Sequence, residues 1–296
     1  MRPKGQSKPV AFLKLTRIEH SAMLVVAVLA SEILSRGTLP GFAILLPSFI
    51  APIFISMGSF AINDYFDVGV DRANGTRGRP LVSGALSMRS AMSISIASFA
   101  IGVAASAFIN LYALLIAAIF AGMAMLYSYR LKELLAVGNA YIAAAMAIPF
   151  LFGAMAVSGS ISPTIILLSA TVLASGFARE VHGTIRDFEG DKMVRNVRSI
   201  PTYIGVRAAS YLAALFYVIA IVLSVWLFFF AEPFLHNLFY LAGILAVDSL
   251  LVYVSASYIA VRKSNRRAVF ARTRNLSLLA MGLALLIYLL SPFIFM

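Results

Sequence analysis

The sequence predicts an all-α membrane protein with nine transmembrane helices. Three observations carry that reading: an apolar composition, nine apolar segments of spanning length, and basic residues confined to one set of connections. Of 296 residues, 61% are hydrophobic and 12% are charged, and the mean hydropathy is +0.92. A soluble domain is far more polar than this. There is no cysteine, which excludes a disulfide framework, a thiolate metal site and a cysteine nucleophile.

A hydrocarbon core about 30 Å thick requires roughly 20 apolar helical residues. The first candidate, about 12–35, follows the basic start MRPKGQSKP as a signal peptide would, but lacks a small-residue cleavage site and reads as a retained span. The second, about 41–62, runs directly into an acidic segment. The third and fourth, about 88–109 and 111–129, meet at Ile109-Asn110-Leu111 and predict a tight helical hairpin. The fifth to seventh follow at about 138–157, 163–180 and 208–230, and the last two at about 235–261 and 275–295.

With the amino terminus in the cytoplasm, the inner segments hold 5, 4, 2, 6 and 6 Lys or Arg, which is 23 of the chain's 24. Only Arg36 falls on the outer side, and the carboxyl terminus ends there too. The positive-inside bias therefore accounts for the net charge of +12, and a nucleic-acid partner loses its motivation. No protein partner is implied either. The long inner connections, about 63–87 and 181–207, hold half of the 12 acidic residues.

The first acidic segment reads Asn63-Asp64-Tyr65-Phe66-Asp67-Val68-Gly69-Val70-Asp71-Arg72. If the second span continues as a helix, Asn63, Asp64, Asp67 and Asp71 share an arc of about 100°. In the second segment, from Arg179 to Lys192, Glu180, Thr184, Asp187 and Asp191 share a face and Glu189 points away. Clustered carboxylates repel one another and resist desolvation unless a positive charge neutralises them. A divalent cation does so, and carboxylate and amide oxygens suit Mg²⁺ or Ca²⁺ rather than zinc. Mg²⁺ commonly completes its shell with substrate phosphates, so a phosphorylated substrate is implied.

Basic residues trail both clusters: Arg72, Arg77 and Arg79, then Pro80 and Gly84, after the first; Lys192, Arg195 and Arg198, then Pro201 and Gly205, after the second. Carboxylates carrying Mg²⁺ beside Arg and Lys form a cradle for a diphosphate. The shared order suggests one domain over residues 1–296 with an internal pseudo-repeat, its halves at about 12–130 and 138–261.

At these residues the chain resembles the UbiA superfamily of intramembrane prenyltransferases. NDYFDVGVD at 63–71 matches the N-D-x-x-D-x-x-x-D hallmark of that family, and RDFEGD at 186–191 supplies the second aspartate motif. RGRPLVSGALS at 77–87, YSYRLKE at 127–133, GNAYIAAAMAIPFLFGA at 138–154 and SIPTYIG at 199–205 are similar to family segments as well. The resemblance implies a helical bundle around a central cavity in the cell membrane, with the active site at its cytoplasmic side. It implies Mg²⁺ as cofactor, held by Asn63, Asp64, Asp67, Asp71, Asp187 and Asp191, of which Asp67, Asp71, Asp187 and Asp191 are catalytic. Diphosphate contacts fall on Arg72, Arg79, Tyr127, Lys132 and Lys192, and further substrate contacts on Arg17, His20 and Thr184.

Three departures stand out. Thr184 replaces an aspartate, Tyr127 and Lys132 are spaced one residue wider than the family's pair, and Arg17-Ile18-Glu19-His20 replaces Arg-Pro-x-Asn. The acidic motifs look most like those of the archaeal ether-lipid members, which transfer geranylgeranyl from its diphosphate to geranylgeranylglyceryl phosphate. An aromatic acceptor of quinone synthesis, of hydroxybenzoate or naphthoate type, is the alternative.

An ion-coupled transporter is a remoter alternative, because its carboxylates belong near the bilayer midplane rather than at helix ends. The CDP-alcohol phosphotransferases require an Asp-Gly dipeptide, which the chain lacks. Asp248, in the middle of the eighth span, is either functional or an interhelical hydrogen-bonding group. Glu32 and Arg36 lie one turn apart and read as an ion pair, and Trp226 as packing or an interface anchor.

Overall fold

The structure, a computed structural model, describes residues 7–73, 75–76, 78–194, 199–261 and 266–294, with the side chains of 189–194 and 267 outside the description. Among the described residues every regular element is helical: α1 (Lys8–Thr16), α2 (Ile18–Arg36), α3 (Phe42–Ala73), α4 (Met88–Ala107), α5 (Leu111–Tyr129), α6 (Val137–Ser158), α7 (Pro163–Val194), α8 (Ile200–Phe230), α9 (Leu238–Ile259) and α10 (Arg266–Leu290). Nine of these, α2 to α10, are long and apolar enough to cross a membrane. Helices suit this solvent because each satisfies its own backbone hydrogen bonds where no water can.

Helix ends follow local chemistry. Asn110 accepts from the Ala113 amide at 2.8 Å and caps α5, which produces the tight α4–α5 hairpin expected at that asparagine. Ser87 caps α4 and Asn237 caps α9 in the same way. Where the structure departs from the expected spans, charged or special residues are responsible. The first span is not one helix: it breaks at Arg17, whose φ of 45° and ψ of 46° are left-handed. The seventh begins earlier, at Ile200, and carries a kink at Gly205, where a φ of 81° favours glycine. The last begins at Arg266, because Arg and Asn are acceptable helix formers even where hydropathy is low.

α3 and α7 are each 32 residues long. At 1.5 Å per residue each measures about 48 Å, well beyond a hydrocarbon core of about 30 Å. Both acidic segments therefore ride on helical extensions of a span, the condition on which their one-faced projection depended.

The chain forms two compact units, residues 1–25 with 41–132, and residues 26–40 with 133–296. In the first, α3 packs on α1, α4 and α5. Small residues permit a close α3–α4 approach: a Cβ on Gly102 would lie 3.0 Å from the Ala51 carbonyl oxygen. The Ser95 hydroxyl donates to the Gly58 carbonyl at 2.9 Å across the same interface. In the second unit α6 packs on α7, α7 on α8, α8 on α9 and α9 on α10. Phe150, Phe234, Tyr240 and Tyr288 gather into one aromatic cluster. His182, Tyr217, Tyr258 and Phe270 form another. Asp248 is buried and accepts from the Ser224 hydroxyl at 2.9 Å, an α8–α9 hydrogen bond.

A Cβ on Gly153 would stand 2.6 Å from the Val28 carbonyl oxygen, a backbone atom that cannot rotate away. Gly153→Val is therefore expected to destabilise the protein by about 1–3 kcal/mol, read as a lower Tm in detergent. Gly122→Ala, whose Cβ meets nothing within 4 Å, is the matched control and leaves Tm unchanged or higher.

Candidate active site

The first acidic segment lies on the last turns of α3. Asp64 is 2% exposed and its Oδ1 accepts from two guanidinium groups, Arg17 at 2.9 Å and Arg79. Arg79 also sits 3.6 Å from Asp71. Asp67 accepts from Lys132 at 2.7 Å on one oxygen and from the Asn63 amide at 3.0 Å on the other. All are half-buried or nearly so except Asp64, so this is a charge network in a restricted dielectric rather than a solvated surface.

The chain is shaped around that network. The left-handed turn at Arg17 ends α1, and its guanidinium lies 4.7 Å over the Phe60 ring on α3 as well as against Asp64. Burial lowers the Arg17 pKa from its ordinary value and Asp64 opposes that shift, so the group stays cationic. After α3 the chain turns back: the Thr76 amide bonds the Asp71 carbonyl at 2.9 Å, and the Arg79 amide bonds that of Thr76 at 3.1 Å. Leu81 then anchors the return, packing with Leu15, Ala61 and Ala91. Lys132 is delivered by the 3₁₀ turn Leu131–Glu133 that follows α5.

Of the residues expected here, the structure thus brings together Arg17, Asn63, Asp64, Asp67, Asp71, Arg79 and Lys132. Arg72 is exposed at the end of α3 and Tyr127 is half-buried on α5. His20 is well exposed, 3.5 Å from Glu19, with its ring edge against Phe60. Arg77 lies outside the described residues.

The second acidic segment lies on the extension of α7. Arg186 grips Asp187 with two donors, Nε at 2.8 Å and a terminal nitrogen at 3.0 Å. Arg179 reaches Glu180 at 3.3 Å. The Thr184 hydroxyl donates to the Val181 carbonyl at 2.8 Å, a bond within its own helix, while Thr184 still lines a cavity of about 260 Å³. That cavity is bounded by α7, α9 and α10 and also receives Glu180, Asp187, Tyr258 and Arg274. The side chains of Glu189, Asp191 and Lys192 lie outside the description, as do Arg195 and Arg198.

Sequence reasoning gave no role to His182, Tyr258 or Arg274. His182 is 3% exposed and stacks flat on Tyr258 at 3.6 Å, and Tyr258 stacks on Phe270 at 4.9 Å, joining α7, α9 and α10. Arg274 was counted only as a topological charge; its signal is a cation eight residues inside a helix that ends as a membrane span.

The UbiA prenyltransferase family model matches residues 24–279. The chain belongs to this family. It is 36% identical over 275 residues to the digeranylgeranylglyceryl phosphate synthase of Archaeoglobus fulgidus, covering 93% of this chain and 92% of that one. A solved structure of digeranylgeranylglyceryl phosphate synthase in membranes superposes with a TM-score of 0.78 at 27% identity, over 96% of this chain and 98% of the other. A UbiA homologue from Archaeoglobus fulgidus, solved bound to DMAPP and Mg²⁺, shares the fold with a TM-score of 0.67 at 19% identity, over 94% and 98% of the two chains. The chain is accordingly a prenyltransferase with a multi-pass membrane fold.

The donor set fits a hard cation. Asp67 and Asp71 offer carboxylate oxygens at the accessible side of the first network, and Asp64 Oδ2 is buried without a hydrogen-bond partner. Among the described residues no three His, Asp or Glu side chains close into a metal cage. Mg²⁺ requires none, since it commonly takes one or two carboxylates and fills its shell with water and phosphate oxygens.

Arg79→Ala removes one of two cations from buried Asp64 while Arg17 remains. The loss expected is about 1–3 kcal/mol, below the figure for a fully broken buried pair. Chemical or thermal unfolding in detergent measures it, and the double variant Asp64→Asn/Arg79→Ala is expected to recover part of the loss.

Proposed function

We propose that the chain transfers a geranylgeranyl group from geranylgeranyl diphosphate to geranylgeranylglyceryl phosphate, the second prenylation of archaeal ether-lipid synthesis. The observation that carries this reading is near-full-length similarity to an enzyme of that name, 36% identical over 93% of the chain. It is joined to an intact N-D-x-x-D-x-x-x-D segment at 63–71. The active site, on this reading, faces the cytoplasm of the cell membrane, in keeping with 23 of 24 basic residues at the ends or connections on one side.

Mg²⁺ would be held by Asp67 and Asp71 with Asn63, and by Asp187 and Asp191, and when bound it would neutralise the charge that develops on the leaving diphosphate. Asp64, whose Oδ2 has no hydrogen-bond partner, joins that set and has a second part as well. Buried beneath Arg17 and Arg79, it holds those guanidinium groups in place. Arg79 and Lys132, which neutralise Asp71 and Asp67 at 3.6 and 2.7 Å, can turn to phosphate oxygens, as can Arg72, Tyr127 and Lys192. His20 and Thr184 stand as further substrate contacts.

In the reaction the bond between the allylic carbon and the diphosphate oxygen breaks, and the electron pair leaves with the diphosphate. The glycerol hydroxyl oxygen bonds to that carbon and releases its proton. The cationic carbon must be kept from water until then.

Purified protein given geranylgeranyl diphosphate and Mg²⁺ is expected to release diphosphate with geranylgeranylglyceryl phosphate and not with 4-hydroxybenzoate. The reverse preference overturns the proposal in favour of an aromatic acceptor. Asp67→Ala and Asp187→Ala are each expected to lower kcat by about 100- to 1000-fold, the scale for one element of an electrostatic clamp.

A further inference from the structure

The cavity between α7, α9 and α10 holds more cationic donors than its own carboxylates use. Three guanidinium groups line it, Arg179, Arg186 and Arg274, against two carboxylates, Glu180 and Asp187. Arg186 is occupied by Asp187 through two hydrogen bonds. Arg179 gives Glu180 a single contact of 3.3 Å, and its Nε is buried without a hydrogen-bond partner. Arg274 forms no ion pair with a carboxylate among the described residues.

Its position sharpens the point. Arg274 lies eight residues inside α10, at the edge of the apolar stretch that makes this helix long enough to span, where its exposed side chain lines the cavity mouth. The wall beside it is stiff: His182, Tyr258 and Phe270 form a continuous stack at 3.6 and 4.9 Å across the three helices. A guanidinium that lines the same cavity as a buried, unpartnered N–H is suited to a compact anion with several acceptor oxygens.

Resting on the proposed function, which requires an acceptor with a phosphate monoester as well as a donor with a diphosphate, we propose that Arg274 and Arg179 form the subsite for the acceptor's phosphate. The donor diphosphate already has its complement in the carboxylates, Arg79 and Lys132 of the first unit and the acidic face of α7. Arg274 and the free edge of Arg179 belong to neither set. The subsite explains how a phosphorylated glycerol lipid is told from a neutral one, because removing the phosphate leaves charged donors unsatisfied.

The test is calorimetric titration of the full chain in detergent, without Mg²⁺ or donor, using geranylgeranylglyceryl phosphate and geranylgeranylglycerol as probes. The wild type is expected to bind the phosphate at least about 10-fold more tightly, the scale of a charge-assisted hydrogen bond. Arg274→Gln is expected to lose about 10- to 100-fold in affinity for the phosphate and none for geranylgeranyl diphosphate measured with Mg²⁺. Arg274→Lys should recover part of the loss, and Arg272→Gln, on a residue that stacks over Tyr253, should change neither affinity. Unchanged phosphate affinity in Arg274→Gln, or an equal loss for the donor, overturns the subsite while leaving the proposed function intact. A wild type that prenylates 4-hydroxybenzoate and not geranylgeranylglyceryl phosphate overturns the function, and the subsite with it.

Discussion

Negative charge carried on helices that outrun the membrane is the constraint from which much of the rest follows. α3 and α7 each run for 32 residues and carry carboxylates on their extensions, Asp64, Asp67 and Asp71 on the first and Glu180 and Asp187 on the second. Such groups lose hydration without losing mutual repulsion, so each must meet a cation. In the first unit the protein supplies three: Arg17 and Arg79 on Asp64, with Arg79 also near Asp71, and Lys132 on Asp67. In the second, Arg186 and Arg179 serve Asp187 and Glu180.

That requirement organises the chain locally. Arg17 takes a left-handed conformation uncommon outside glycine, asparagine and aspartate, and the first span divides there. The segment after α3 doubles back so that Arg79 faces the helix it has just left, with Leu81 buried beneath it. A 3₁₀ turn after α5 aims Lys132 at Asp67. These are arrangements in which the protein's own cations hold the places near the carboxylates. On the proposed function, an arriving Mg²⁺–diphosphate would bring both the cation and the anion needed to replace those pairs, so metal and substrate are expected to bind together rather than in turn.

Hydropathy and the distribution of basic residues made the helical class and span count legible, and Asn110 alone marked the α4–α5 hairpin. The aspartates were legible because helical periodicity puts them on one face. Periodicity could not separate Asp64 from Asp67, however, since burial is set by Arg17 and Arg79, which lie 47 and 15 residues away. Arg274 was hidden for a different reason. Hydropathy treats every arginine at a span's edge as an anchor, and only the packing of α7, α9 and α10 turns this one toward a cavity. The break at Arg17 was invisible because nothing in its neighbours is a helix breaker; a tertiary ion pair holds it.

On the proposed function, the acidic segments bind diphosphate only in company with Mg²⁺. Calorimetric titration of geranylgeranyl diphosphate into the purified wild-type chain, with and without Mg²⁺, tests it most directly. Binding at least about 100-fold tighter with the metal is expected, in line with the several kcal/mol that metal polarisation of a phosphoryl oxygen supplies, and that gain is lost in Asp67→Asn/Asp187→Asn. Equal affinity with and without Mg²⁺ would contradict it.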